Sequence, residues 1–194
     1  MKKFILTICM ISAFMFTSQA QIDLKINPIG LLFGSPDLSG EYVVNENIGV
    51  ELSAGILFGK VIGSGIFGGE GLDKSGYRIR ASGKYYFSPD DGADGFFAGL
   101  YLGPRSRTTT GEPVDTGNGT SYEPGAKTSA FSLGVLIGYK WVSEKGIIFE
   151  IDGGLGRGLG NKITLNDLDN PTEVRGLGLD GVLVMSVGYR FGER

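Results

Sequence analysis

The chain has 194 residues, enough for one domain, with 41% hydrophobic and 20% charged side chains. Glycine is abundant at 34 residues, but only 7 prolines and no Gly-X-Y period accompany it, which excludes collagen and proline-rich linkers. Histidine is absent and the formal net charge is −3, so histidine-ligated zinc, imidazole-dependent triads and a basic nucleic-acid footprint are excluded too.

Residues 1–20, MKKFILTICMISAFMFTSQA, predict a cleaved secretory signal. Lys2 and Lys3 precede an apolar run from Phe4 to Phe16, too short for the ~17–25 residues of a spanning helix, and Ser18-Gln19-Ala20 forms a cleavage site before Gln21. Cys9 lies inside that run after Ile8, unlike a lipobox cysteine. The domain expected at 21–194 then has no cysteine, so a core or membrane burial must hold it together.

From Gln21 onward the hydrophobic period is two. Strands are predicted at 22–33, 37–44, 48–59, 75–87, 95–105, 129–142, 147–158 and 176–191, and no amphipathic helix is. Pro28 and Pro36 interrupt the first two segments. In Ile48-Gly-Val50-Glu-Leu52-Ser-Ala54-Gly-Ile56 every even position is apolar or small, a pattern no amphipathic helix gives. Segments of ~10 residues exceed the ~5–6 usual in soluble sheets. Short polar turns at 45–47, 88–94 and 143–146 alternate with longer excursions at 60–74, 106–128 and 159–175. An even strand number with short turns at one end and long loops at the other predicts an all-β, eight-stranded, antiparallel up-and-down transmembrane β-barrel.

The two faces of these segments differ. One collects residues such as Ile48, Val50, Leu52, Leu100, Val135, Ile151 and Leu183. The other carries Glu51, Arg78, Arg80, Lys84, Lys140, Glu150, Asp152, Asp180 and Arg190, charges of both signs able to pair as a structural network in a narrow lumen. Glycines such as Gly49, Gly134, Gly138, Gly154 and Gly156 crowd that polar face and make room for long side chains. Aromatic residues near strand ends (Tyr85, Phe87, Phe96, Tyr139, Trp141, Tyr189, Phe191) suit an interfacial girdle. An eight-stranded interior is filled by side chains, which predicts a plugged lumen and no porin activity.

The last segment, Leu183-x-Met185-x-Val187-x-Tyr189-x-Phe191, resembles the assembly signal of bacterial outer-membrane barrels, although here Gly192-Glu193-Arg194 follow the final aromatic. The chain from Gln21 on is similar to the small eight-stranded outer-membrane proteins of the OmpA and OmpX type, especially those of Bacteroidota. That resemblance implies Sec-dependent export, outer-membrane localisation, recognition by the barrel-assembly machinery, contact with outer-membrane lipid and a monomeric state. OmpA-type chains continue into a peptidoglycan-binding domain, which is not expected here.

Little else suggests chemistry. Gly63-Ser-Gly65-Ile-Phe-Gly68 and Gly176-Leu-Gly178-Leu-Asp-Gly181 match G-x-G-x-x-G, but neither opens a helix after a strand. Asn166-Asp167-Leu168-Asp169-Asn170 offers oxygen ligands without EF-hand spacing. The barrel lipases, proteases and deacylases use a histidine, and Glu150 with Asp152 reads better as part of an ion-pair network than as an acid–base pair. The expected function is therefore non-enzymatic, with no cofactor, metal or nucleic acid, acting through extracellular loops toward a partner the sequence does not identify. A secreted or periplasmic lipocalin-like barrel, its apolar face turned inward around a small ligand, is the alternative.

Overall fold

The computed structural model describes residues 21–59, 73–90, 92–111, 114–115, 121–122, 125–166, 172–175 and 178–192. The expected signal at 1–20, residues 60–72 of the excursion expected at 60–74 and residues 167–170 of the oxygen-rich run at 166–170 lie outside them. The strands are β1 Gln21–Ile26, β2 Asp37–Asn45, β3 Ile48–Leu57, β4 Asp73–Tyr86, β5 Gly95–Thr110, β6 Val114–Asp115, β7 Ser121–Tyr122, β8 Gly125–Val142, β9 Ile147–Asn166, β10 Thr172–Arg175 and β11 Leu179–Phe191. Among the described residues one helix, α1, spans Pro28–Leu32.

Eight strands (β1 to β5, β8, β9 and β11) run antiparallel and up and down, each bonded to its neighbour in the chain. The last returns to the first through Ile22↔Phe191 to Ile26↔Val187, so the sheet closes into a ring.

Two expectations are corrected. The segment 22–33 is a strand only as far as Ile26. Pro28, which cannot donate to a ladder, starts α1 instead, and the Asn27 side chain caps it by accepting from the Gly30 N–H at 2.7 Å. The excursions at 106–128 and 159–175 are also shorter than expected. The β5–β8 ladder continues to Thr110↔Gly125, because the threonine-rich stretches suit a pleated surface despite their polarity. β9 likewise runs on to Asn166, and β10 folds back on it from Thr172↔Leu165 to Arg175↔Lys162.

At the opposite end the connections are tight. Gly146, at φ 81°, closes the β8–β9 turn, where its N–H donates to the Ser143 carbonyl at 2.8 Å. The β4–β5 turn folds inward beneath the ring. Ala93 is fully buried there, and its N–H donates to the Glu46 carbonyl at 2.8 Å. Arg190 donates to the carbonyls of Gly92 and Ala93, so this turn covers the end of the lumen.

Period two sorts the side chains. Val50, Leu52, Leu100, Val135, Ile137 and Leu183 all point outward, and half or more of each is exposed. Aromatic pairs line the outside near the tight turns of β4–β5, β8–β9 and β11, with Tyr85 on Phe87, Phe87 on Phe96, Trp141 stacked on Phe149 and Tyr189 on Phe191 at centroid separations of 4.9–5.6 Å. The interior is not wholly polar. Tyr86, Phe97, Tyr101, Leu136, Val182 and Val184 form a buried apolar cluster within it. Inward glycines make room for those rings: a Cβ at Gly138 would lie 2.5 Å from Phe97 Cζ, and one at Gly156 would lie 2.5 Å from Tyr101 Oη.

Candidate functional site

Inward positions of seven ring strands bring charges together near the tight-turn end. β1 contributes Asp23 and Lys25, β2 Glu41, β3 Glu51, β4 Arg80 and Lys84, β8 Lys140, β9 Glu150 and Asp152, and β11 Arg190. Each is at most 5% exposed. Five cations thus face five carboxylates, and the cluster is neutral overall.

Two ammonium groups sit at its centre. Lys25 Nζ lies 2.8 Å from Glu41, 2.6 Å from Glu51 and 2.6 Å from Glu150. Lys84 Nζ shares the same three carboxylates at 3.2, 2.7 and 2.6 Å. Lys140 bridges Asp23 and Glu41 at 2.8 Å each, and Arg190 grips Asp23 with two bonds of 2.7 and 2.9 Å. Tyr86 donates its hydroxyl to Glu41 at 2.6 Å. Lys84 also stands over the Phe97 ring and Lys140 over the Tyr86 ring, at 4.8 and 4.6 Å from the centroids. Buried charges are tolerated only when paired and hydrogen-bonded in this way.

The ligand atoms of Glu41, Glu51 and Glu150 come within 4.8 Å of one another, a spacing a metal ion could use. The two lysines that bridge all three already neutralise that negative charge. Arg80 is held less tightly, at 3.5 Å from Glu51 and 3.7 Å from Asp152, and its Nε has no hydrogen-bond partner.

The nine charges read from the sequence divide into two groups. Glu51, Arg80, Lys84, Lys140, Glu150, Asp152 and Arg190 lie in the buried cluster. Arg78 and Asp180 lie nearer the loop end, outside it. Arg78 stands 3.7 Å from Asp37, while Asp180 takes Arg105 at 2.6 Å and the Tyr101 hydroxyl at 3.1 Å. Sequence reasoning missed Asp23, Lys25 and Glu41, which occupy the two proline-interrupted segments. Their alternation with Ile22, Leu24, Ile26, Leu38 and Tyr42 was the available signal. Leu183, Met185, Tyr189 and Phe191 of the assembly-signal pattern point outward, while Val187 is half-buried.

This arrangement can brace a ring and block its lumen. Both Glu150 oxygens accept from lysines, and Asp152 stands 3.7 Å from Arg80. No family model, curated protein or solved structure matches the chain.

Proposed function

We propose that the chain is a plugged, non-enzymatic outer-membrane β-barrel that spans the bilayer and presents its longer loops outside the cell. One observation carries this reading: the large apolar side chains cover the outside of the closed ring, while the charged ones are buried within it. Soluble proteins rarely expose contiguous apolar patches beyond a few hundred Å², whereas a barrel in lipid requires them. The aromatic pairs at Trp141 and Tyr189 match a bilayer interface. A lipocalin-like pocket would require the opposite arrangement of faces. The neutral, interlocked cluster and the inward β4–β5 turn support a lumen that conducts nothing, and the leader-like residues 1–20 support export.

The test is fractionation of expressing cells followed by gel electrophoresis of boiled and unboiled samples. An outer-membrane band whose mobility shifts on boiling is expected. A soluble protein without a shift would overturn the reading.

A further inference from the structure

The wall of the ring is uneven. β1 has 6 residues and β2 has 9, against 18 in β8 and 20 in β9. The β1–β11 ladder ends at Ile26↔Val187, yet β11 runs on to Leu179, paired through that stretch, among the described residues, with β9 alone. α1 stands beside this open edge in place of a strand, between the ends of β1 and β2.

A cavity of about 460 Å³ lies there, within the ~300–1,000 Å³ usual for small-molecule sites. Its lining draws on both faces of the wall: Leu183, Met185 and Ile56 from the outer face, Arg78, Arg105 and Asp180 from the inner one. The cavity thus borders apolar side chains of the outer face and, from the inner face, arginines together with the Asp180 carboxylate. Arg78 and Arg105 are directly opposite each other across the β4–β5 ladder, a like-charge pairing that costs stability unless something answers it. Asp180 answers Arg105 and Asp37 answers Arg78 less closely, at 3.7 Å, while the Nε atoms of both arginines are buried without a hydrogen-bond partner among the described residues. Arg107 adds a third guanidinium to the lining. Guanidinium forks match carboxylate and phosphate oxygens.

We propose that this opening binds an anionic single-chain amphiphile taken sideways from the surrounding lipid, with its carboxylate or phosphate head on Arg78 and Arg105. Its chain lies past Phe33, Leu183 and Met185. The proposal rests on the membrane reading above, because the chain reaches the opening through lipid.

The test uses the protein in phosphatidylcholine vesicles with a bimane label on Ile29→Cys, a residue of the cavity lining, and Cys9, the only native cysteine, replaced by serine. 9,10-Dibromostearate should quench the label saturably, and Arg78→Gln should raise the half-quenching concentration at least tenfold. Dibromostearyl alcohol should quench without saturation. Gly181→Trp, at an outward cavity position where a Cβ would meet nothing within 4 Å, should block the mouth and abolish saturable quenching, and it carries the test if Arg78→Gln fails to fold. Equal quenching by acid and alcohol, indifference to both substitutions, or displacement by equimolar inorganic phosphate would each overturn the proposal. A second label on Val135→Cys reports lipid contact through dibromophosphatidylcholine. Its failure to quench would overturn the membrane reading itself, whereas quenching there with an unselective Ile29 site would overturn the amphiphile proposal alone.

Discussion

Lys25 and Glu150 meet at 2.6 Å across the lumen although 125 residues separate them in the chain. Lys25 also holds Glu41 and Glu51, so removing its charge leaves Lys84 alone to bridge three buried carboxylates. Lys25→Met is expected to destabilise the folded state by about 3–5 kcal/mol, the usual cost of stranding a buried partner. Urea unfolding in lipid vesicles, followed by the boiling-dependent gel shift, measures it. A change below about 1 kcal/mol would mean the network is hydrated and loosely held.

Val135 tests the outer face. It points away from the lumen and is 56% exposed. On the membrane reading, Val135→Arg costs about 2–4 kcal/mol near the bilayer midplane, while Val135→Leu is silent. The yield of heat-modifiable protein in the membrane fraction reads the difference, and equal yields would count against lipid contact.

Gly138 tests the inner packing. Its missing side chain leaves space taken by the Phe97 ring and the Ile151 carbonyl. Gly138→Ala should cost about 1–3 kcal/mol through overpacking, and Phe97→Leu in the same chain should recover part of that loss. The double-mutant cycle, read by urea midpoints, fails if the two substitutions simply add.

Asn27 tests the element that replaces a strand. Asn27→Ala removes the cap on the Gly30 N–H and should cost about 0.5–2 kcal/mol. Because α1 stands by the open edge of β11, limited proteolysis between Asn27 and Pro36 should accelerate while the rest of the ring stays protected. Uniform loss of protection would show that α1 is not separable from the wall.

Much of the ring was legible because period two needs no partner to be read. Ile48 to Ile56 announces one face and Glu51 with Ser53 the other, and both lie where alternation places them. The ends of strands were not legible in this way. Arg107 to Thr110 and Lys127 to Ser129 are polar on both faces, so hydrophobic alternation fades although the ladder continues. The pairing of charges was equally hidden. Lys25 reaches Glu150 because the ring closes, and that depends on register across eight strands, which no local stretch encodes. Arg78 reads like Arg80 in sequence, yet two residues of height place it by the cavity at α1 rather than in the buried cluster.

The grip of Arg190 on Asp23 joins the last ring strand to the first, 167 residues away. Until β11 docks on β1, neither group has the other, and a half-closed sheet would expose both to whatever surrounds it. An incomplete ring is thus penalised twice, by an unpaired backbone edge and by severed charge pairs. Folding intermediates with seven strands in place should be scarce at equilibrium, and folding should end in a single cooperative latch step. The slowest relaxation in refolding kinetics is then the one that Asp23→Asn alters.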